Sequence, residues 1–252
     1  MAGFLSILMY HQVGRFAPMK THRANYCDRD RFARQMAFLH HGGFRVLDLE
    51  AALAALAGKQ PIPPKAVVLS FDDGYAAFIQ EALPVLRRYG FPAVLYAISQ
   101  YLGKRADWFA KEPNRPVPRL LSGAQLRTIR QAGIRIGSHG AHHVRLGEVD
   151  DRTKWRELAD SKAALEDLLG EAVPHLCYPF GSFDQTVLQM AQEIGYRSAL
   201  TCLRGAATRE DHPLALPRKA ISFGDNLIGY AWKLLVKQAP TPALLDWRRR
   251  LG

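Results

Sequence analysis

Cysteine is scarce in this chain: three in 252 residues, Cys27, Cys177 and Cys202, an odd number at wide spacing. That excludes a disulfide framework and suits a reducing compartment. No apolar run approaches the roughly 18 residues that a membrane span requires. The opening GFLSILMY has neither a basic leader nor a small-residue cleavage site, so it reads as a first strand and the protein as cytoplasmic. Internal repeats, low-complexity tracts and dividing linkers are missing as well, which favours one domain at this length. Histidine is absent beyond His212, so any later proton donor has to come from earlier in the chain.

What is present is an ordinary globular composition, 48% hydrophobic and 23% charged, with a net charge of +11. That excess suits anionic partners: nucleic acid, lipid headgroups or acidic glycans. Much of it lies in two patches, KRADWFAKEPNRPVPR (104–119) and the terminal WRRRLG, rather than in one stripe; a solvated basic face explains such patches too.

Short apolar, β-branched runs alternate with helical patterns. The strand candidates are 6–10, 45–49, 66–71, 93–98, 134–138, 175–180, 198–202 and 219–223; helices with an Asp cap and a Gly stop fall near 28–43 and 150–170. Strands alternating with helices imply parallel βαβ units, and seven or eight of them in this length suggest an α/β barrel over an open doubly wound sheet. His11, Asp72, Asp73, His139 and Tyr178–Phe180 all fall at or just past the carboxyl ends of predicted strands, where such barrels assemble their sites.

In SHGAHH (138–143), His139 and His143 are four apart, which on a helical turn puts both imidazoles on one face, able to share a metal; His142 is a second-choice ligand. A carboxylate from another strand end completes a two-His, one-carboxylate set with an open position, and Asp73 of SFDDGY is the natural third ligand. Asp72 is then free to act as a base beside the ion, whose charge offsets the repulsion between neighbouring carboxylates. A plain Asp-Gly turn is the competing reading of DDG. Such a donor set accepts zinc first, with cobalt, nickel or iron as alternatives.

SFDDG (70–74), GSHGAHHVRL (137–146) and YPFGSFD (178–184), in that order, resemble the first three motifs of the polysaccharide deacetylase family, carbohydrate esterase family 4, over about residues 5–225. The resemblance implies a distorted, single-domain (β/α)7-type barrel and metal-dependent removal of an N-acetyl group from an amino sugar. It also implies metal binding by Asp73, His139 and His143, Asp72 as base, and an oxyanion donor in the Phe180 N–H, with Tyr178 and Pro179 beside it on the substrate. Two features depart from the family. Where members carry an arginine that orients the base, this chain has Cys177, and Arg218 is the candidate replacement unless it is an exposed strand-edge charge. The late Leu-x-His motif is missing, and His11 in MYHQVG resembles the amino-terminal histidine of one branch of the family; an imidazole suits protonation of a leaving amine, and His212 is the lesser candidate.

Trp108 and Phe109 form a candidate stacking platform for a sugar, with Lys104, Arg105, Lys111 and Arg115 reading acidic groups. Residues 1–225 are expected to form the barrel and 226–252 an amphipathic helix and basic tail packed on it; Trp232 and the nearby lysines also fit peripheral contact with an anionic membrane surface. The expected partner is an N-acetylated glycan or glycan precursor, not nucleic acid. An amidohydrolase of a small non-sugar amide and a catalytically degenerate basic binding protein are the alternatives.

Overall fold

The computed structural model describes residues 4–18, 21–109 and 116–251. Its elements run β1 (Leu5–Tyr10), β2 (Gln12–Gly14), β3 (Tyr26–Asp28), α1 (Arg29–His41), β4 (Arg45–Val46), α2 (Leu49–Leu56), β5 (Ala66–Phe71), α3 (Leu83–Tyr89) and β6 (Val94–Ala97). The second half holds α4 (Gly123–Gln131), β7 (Arg135–Ser138), α5 (Asp151–Leu169), β8 (His175–Cys177), α6 (Gln185–Glu193), β9 (Ser198–Arg204), β10 (Leu216–Ala220), α7 (Leu227–Leu235) and α8 (Pro242–Leu251). Seven strands close a parallel ring in the order β1-β10-β9-β8-β7-β6-β5, with β5 returning to β1. This is a (β/α)7-type barrel in one domain, distorted because β9 reaches β10 through a loop and a single turn at Pro213–Ala215 instead of a full helix.

Alternation along each strand sorts the core. On β5, Val67, Leu69 and Phe71 join the layer under α1, α3 and α4, whose contributions include Phe32, Met36, Leu86, Leu126 and Ile129. Ala66 and Val68 face the interior with Leu5, Ile7, Tyr96, Cys177, Leu200 and Leu216. The period of two therefore carries Ser70 and Asp72, and on the neighbouring strands His11 and Arg218, toward the barrel axis.

Three strand expectations need correction. Residues 45–49 form only the two-residue β4 on the side of β5, because the Asp48 side chain accepts from the Glu50 N–H and starts α2. Leu49, Ala52 and Leu56 of that helix then pack with the barrel interior. The late strand begins at Leu216, three residues before the expected 219; Pro217, which lacks an N–H, is accommodated where the β9–β10 register shifts. Arg218 thus lies within the strand. The expected strand 175–180 likewise stops at Cys177 and turns at Pro179–Gly181.

The Asp28 and Asp150 caps start α1 and α5. The C-terminal helices lie against the barrel: Tyr230 and Leu234 of α7 are buried, the Tyr230 hydroxyl reaches that of Tyr10, and Trp247 of α8 stacks on Phe183. The opposite face of α7 turns Ile228, Trp232, Leu235 and Val236 outward. No helix among the described residues is long and apolar enough to cross a membrane.

Candidate active site

A cleft of about 650 Å³ opens at the carboxyl ends of the strands, lined by residues that include His11, Asp72, Asp73, Trp108, His139, His143, Tyr178 and Phe180. β5 delivers the two aspartates. The Asp72 N–H donates to Tyr10 O (2.9 Å), still in the strand ladder, so its side chain follows the inward alternation. Asp73 then takes a left-handed conformation (φ 69°), followed by Gly74 (φ 70°), and the chain turns away. Asp tolerates that region better than most residues, and the turn aims the second carboxylate differently from the first.

The Asp73 carboxylate faces two imidazoles: its Oδ1 is 3.2 Å from His139 Nε2 and 3.3 Å from His143 Nε2, and its Oδ2 accepts from the Tyr75 hydroxyl (2.6 Å). The side chains of all three are buried. One ligand atom from each lies within 4.8 Å of the others, the convergence a single ion needs. The donor chemistry fits a metal as well: His139 Nδ1 lies 2.7 Å from Cys177 O, and donation of its N–H to that carbonyl leaves the Nε2 lone pair toward Asp73. The two histidines do not share a helical turn as the spacing suggested. His139 ends the β7 ladder by donating to Ala97 O, and Gly140 and His143 both take positive φ (74° and 58°) in an irregular loop that brings the second ring back. His142 is directed away, its Nδ1 on Glu157 Oε1 (2.6 Å).

Asp72 answers to a different partner. Arg218 is 1% exposed and grips it with both nitrogens, Nη1 to Oδ1 at 2.7 Å and Nη2 to Oδ2 at 2.8 Å. The guanidinium is itself fixed by Nε donating to Thr201 O and Nη1 to Ser70 Oγ, while Nη2 reaches Cys177 Sγ (3.1 Å). It is no strand-edge charge: an arginine from β10 stands beside the position where Cys177 supplies none. Burial pushes the Asp72 carboxyl up, but the Arg218 charge outweighs it and holds the group below the ordinary carboxylate value. Asp73 is also pushed up by burial and is pulled well below its ordinary value by His143 and His139.

His11 Nε2 lies 3.9 Å from Asp72 Oδ2 and lines the same cleft as the Asp73–His139–His143 group. His212 does not reach the site; it caps the turn at Pro213–Ala215, accepting from the Leu214 N–H. Phe180 stands in the left-handed region (φ 59°) with its ring 45% exposed, 4.4 Å from the His143 ring. Trp108 comes equally close to the His143 ring, at 4.4 Å. Tyr178 forms wall only: it is buried, stacks on Phe183 and spends its hydroxyl on Leu214 O. Pro179 is buried and does not line the cleft. Lys104 and Arg105 are exposed and do not line it either, while Lys111 and Arg115 lie outside the described residues.

Sequence reasoning missed Glu157. This buried carboxylate on α5 accepts from the N–H groups of Ala141 (3.0 Å) and His142 (2.8 Å), and Ser161 Oγ donates to Gly140 O (2.9 Å), so one helix face holds the histidine loop in shape. The only sequence signal was a polar pair, four apart, within an amphipathic helix. Met9, His22, Asn25, Arg145 and Cys202 also line the cleft without having been singled out.

Two neighbouring carboxylates with different partners at the carboxyl end of a closed parallel barrel, one of them converging with two histidines, define a hydrolase-type barrel enzyme. The polysaccharide deacetylase family model matches residues 59–199, and the chain belongs to that family, whose members are hydrolases of carbon–nitrogen bonds. It is 30% identical over 221 residues to YxkH of Bacillus subtilis (strain 168), a protein named for the same family, covering 87% of this chain and 72% of that one. It is 24% identical over 238 residues to the poly-beta-1,6-N-acetyl-D-glucosamine N-deacetylase of Escherichia coli (strain K12), covering 82% of this chain but only 35% of that protein. Among solved structures, the Streptococcus pyogenes deacetylase PplD in complex with acetate superposes with a TM-score of 0.79 at 25% identity, covering 95% of this chain and 100% of that one. IcaB from Ammonifex degensii shares the fold (TM-score 0.76, 24% identity, 92% and 97% covered).

Proposed function

We propose that this protein removes the N-acetyl group from an amino sugar in a polysaccharide, oligosaccharide or glycan precursor, using one divalent ion, zinc by preference, held by Asp73, His139 and His143. The observation that carries this is the placement of Asp72, fixed by Arg218, directly beside the Asp73–His139–His143 group. Support comes from the relatives that are named N-acetylglucosamine deacetylases and from the related structure that holds acetate, the acid this reaction releases.

The bound ion would supply Lewis-acid polarisation of the acetyl carbonyl and activation of water. Asp72, kept ionised by the guanidinium fork, accepts the proton that the attacking water loses. The Phe180 N–H, presented by its left-handed turn, faces the oxygen on which negative charge develops. His11 gives a proton to the nitrogen as the carbon–nitrogen bond breaks, so one water and one N-acetyl group become acetate and a free amine. Its position, 3.9 Å from Asp72, puts acid and base side by side within reach of one tetrahedral centre. Trp108 and Phe180 flank His143 and form apolar walls for a sugar ring.

Acetate release from N-acetylglucosamine oligomers, measured with metal-loaded protein, chelated protein and Asp72→Asn, tests the reading. Acetate formation that needs both the metal and the carboxylate supports it. Acetate release that persists after chelation, or that survives in Asp72→Asn, refutes the assigned site.

A further inference from the structure

The cleft has an imbalance of charge. Its lining carboxylates are Asp72 and Asp73, and both are committed, the first to Arg218 and the second to His139, His143 and Tyr75. Among the described residues Arg145 is the one permanently charged cation of the lining, and no described lining carboxylate is left for it. Among the described residues it pairs with Glu148 at 3.9 Å, 66% exposed and outside the cleft, an arrangement that contributes little in water.

The arginine is nevertheless held in position. Its guanidinium lies 4.5 Å over the Phe180 ring, which lies 4.4 Å from His143, which lies 4.4 Å from Trp108. The four side chains follow one another in contact, the guanidinium over the Phe180 ring and the two ring pairs tilted by 36° and 43°. A guanidinium carries five N–H donors, and its fork matches a carboxylate or phosphate with two parallel hydrogen bonds. Arg145 lines the same cleft as His143 and Phe180, so a substrate whose acetamido group reaches those two brings its neighbouring part within range of the guanidinium.

We infer that the substrate is an N-acetylated glycan carrying an anionic group, a carboxylate or a phosphate, on or next to the reacting sugar, and that Arg145 binds this group. The inference rests on the deacetylase reading and narrows its substrate class. It also relocates the recognition of acidic groups from the 104–115 segment, whose Lys104 and Arg105 lie outside the cleft, to the loop after His143.

The test compares acetate release from three N-acetylglucosamine oligomers of equal length: neutral, alternating with uronate, and phosphorylated. The parent protein should show kcat/KM at least about tenfold higher on one anionic series than on the neutral one, the size of one charge-assisted contact, and the advantage should shrink in high salt. The series that wins identifies the anion as carboxylate or phosphate. Arg145→Ala should lower the anionic substrate about tenfold more than the neutral one, and Arg145→Lys, which keeps the charge but loses the fork and the stack, should fall between. Equal losses on all three substrates, or a parent preference for the neutral oligomer, overturn the inference and leave the deacetylase reading standing. Absence of acetate from every oligomer overturns the deacetylase reading, and this inference with it.

Discussion

Replacing Arg218 by Met removes the charge that Asp72 is built around while keeping most of the volume. Both partners are buried, so the loss is not softened by solvent: the carboxylate forfeits two short charge-assisted bonds and remains inside the barrel without a counter-charge. Removing one partner of a buried pair typically costs about 3–5 kcal/mol, a large share of the roughly 5–15 kcal/mol that keeps a domain folded. The pH behaviour follows from the sign. In the parent, the lowered Asp72 pKa contributes stability that is present above the unfolded value of 3.8 and is lost as pH falls through the folded one. Without the guanidinium only the weaker charges of His11 and His139 oppose burial, so the carboxyl is pushed up and protonation begins to compete with the proposed role of Asp72 as base. Urea unfolding should therefore show an unfolding free energy lowered by about 3–5 kcal/mol, with an earlier midpoint, and the acid limb of the kcat/KM profile for acetate release should move to higher pH with a loss of about 10²–10⁴ in rate, the usual worth of a general base. Arg218→Lys keeps a charge but not the fork; it should fold and show a smaller displacement in the same direction, which keeps the idea testable if the Met variant fails to fold. A Met variant as stable as the parent, or a Lys variant with an unmoved acid limb, would show that the pair does not set the state of the base.

The buried Glu157 brace predicts that Glu157→Gln, which preserves shape but weakens acceptance from Ala141, His142 and the His142 ring, lowers affinity for zinc about 10–100-fold, the usual worth of a partner outside the ligand set; competition titration with a chromophoric chelator measures it, and unchanged affinity in a folded variant would refute the brace. At the other end of the barrel, His175 joins Ser198 Oγ to Glu50, and burial takes its pKa from 6.5 down to about 4. Its folded pKa is depressed, so the stability it contributes is present above pH 6.5 and is lost as pH falls toward 4, a change of about 3 kcal/mol. Urea titrations at pH 7 and 4.5 should show that loss in the parent and a shallower dependence in His175→Gln; identical slopes would mean that His175 does not control acid sensitivity.

The barrel was legible because a parallel strand buried on both faces writes a continuous apolar run, and seven such runs stand between helical patterns. The eighth, at 45–49, misled because RVLDL has strand composition while its fourth residue is a cap; what decides there is the Asp48 carboxylate on the Glu50 N–H, a local bond that outranks propensity. The start of β10 was hidden by Pro217, which argues against a strand until a register shift absorbs it. Arg218 was consequently read as lying before the strand, and its burial could not be seen. Residues recruited from other elements are the hardest to read. Glu157 is remote from the histidines it braces, and nothing in helical spacing says that its carboxylate meets their backbone. Arg145, by contrast, stands two residues after His143, but a loop arginine carries no local signal that distinguishes a cleft from solvent.

The adjacency of Asp72 and Asp73 shows what local sequence leaves undecided. Two like charges in succession at a buried strand end have to be separated by orientation or by counter-charge, and this chain does both. Strand alternation sends Asp72 inward to a guanidinium that arrives from 146 positions later in the sequence. A left-handed residue then points Asp73 at two imidazoles from a different loop. Non-glycine residues are held at positive φ only where the surroundings over-determine them, and here Asp73, His143 and Phe180 all are, each at the residue that aims a group into the cleft. The backbone conformation that costs most in isolation is thus concentrated where three loops must converge. That is why the motifs announce the chemistry, whereas the partners that divide the labour between the two aspartates emerge only from the closed ring.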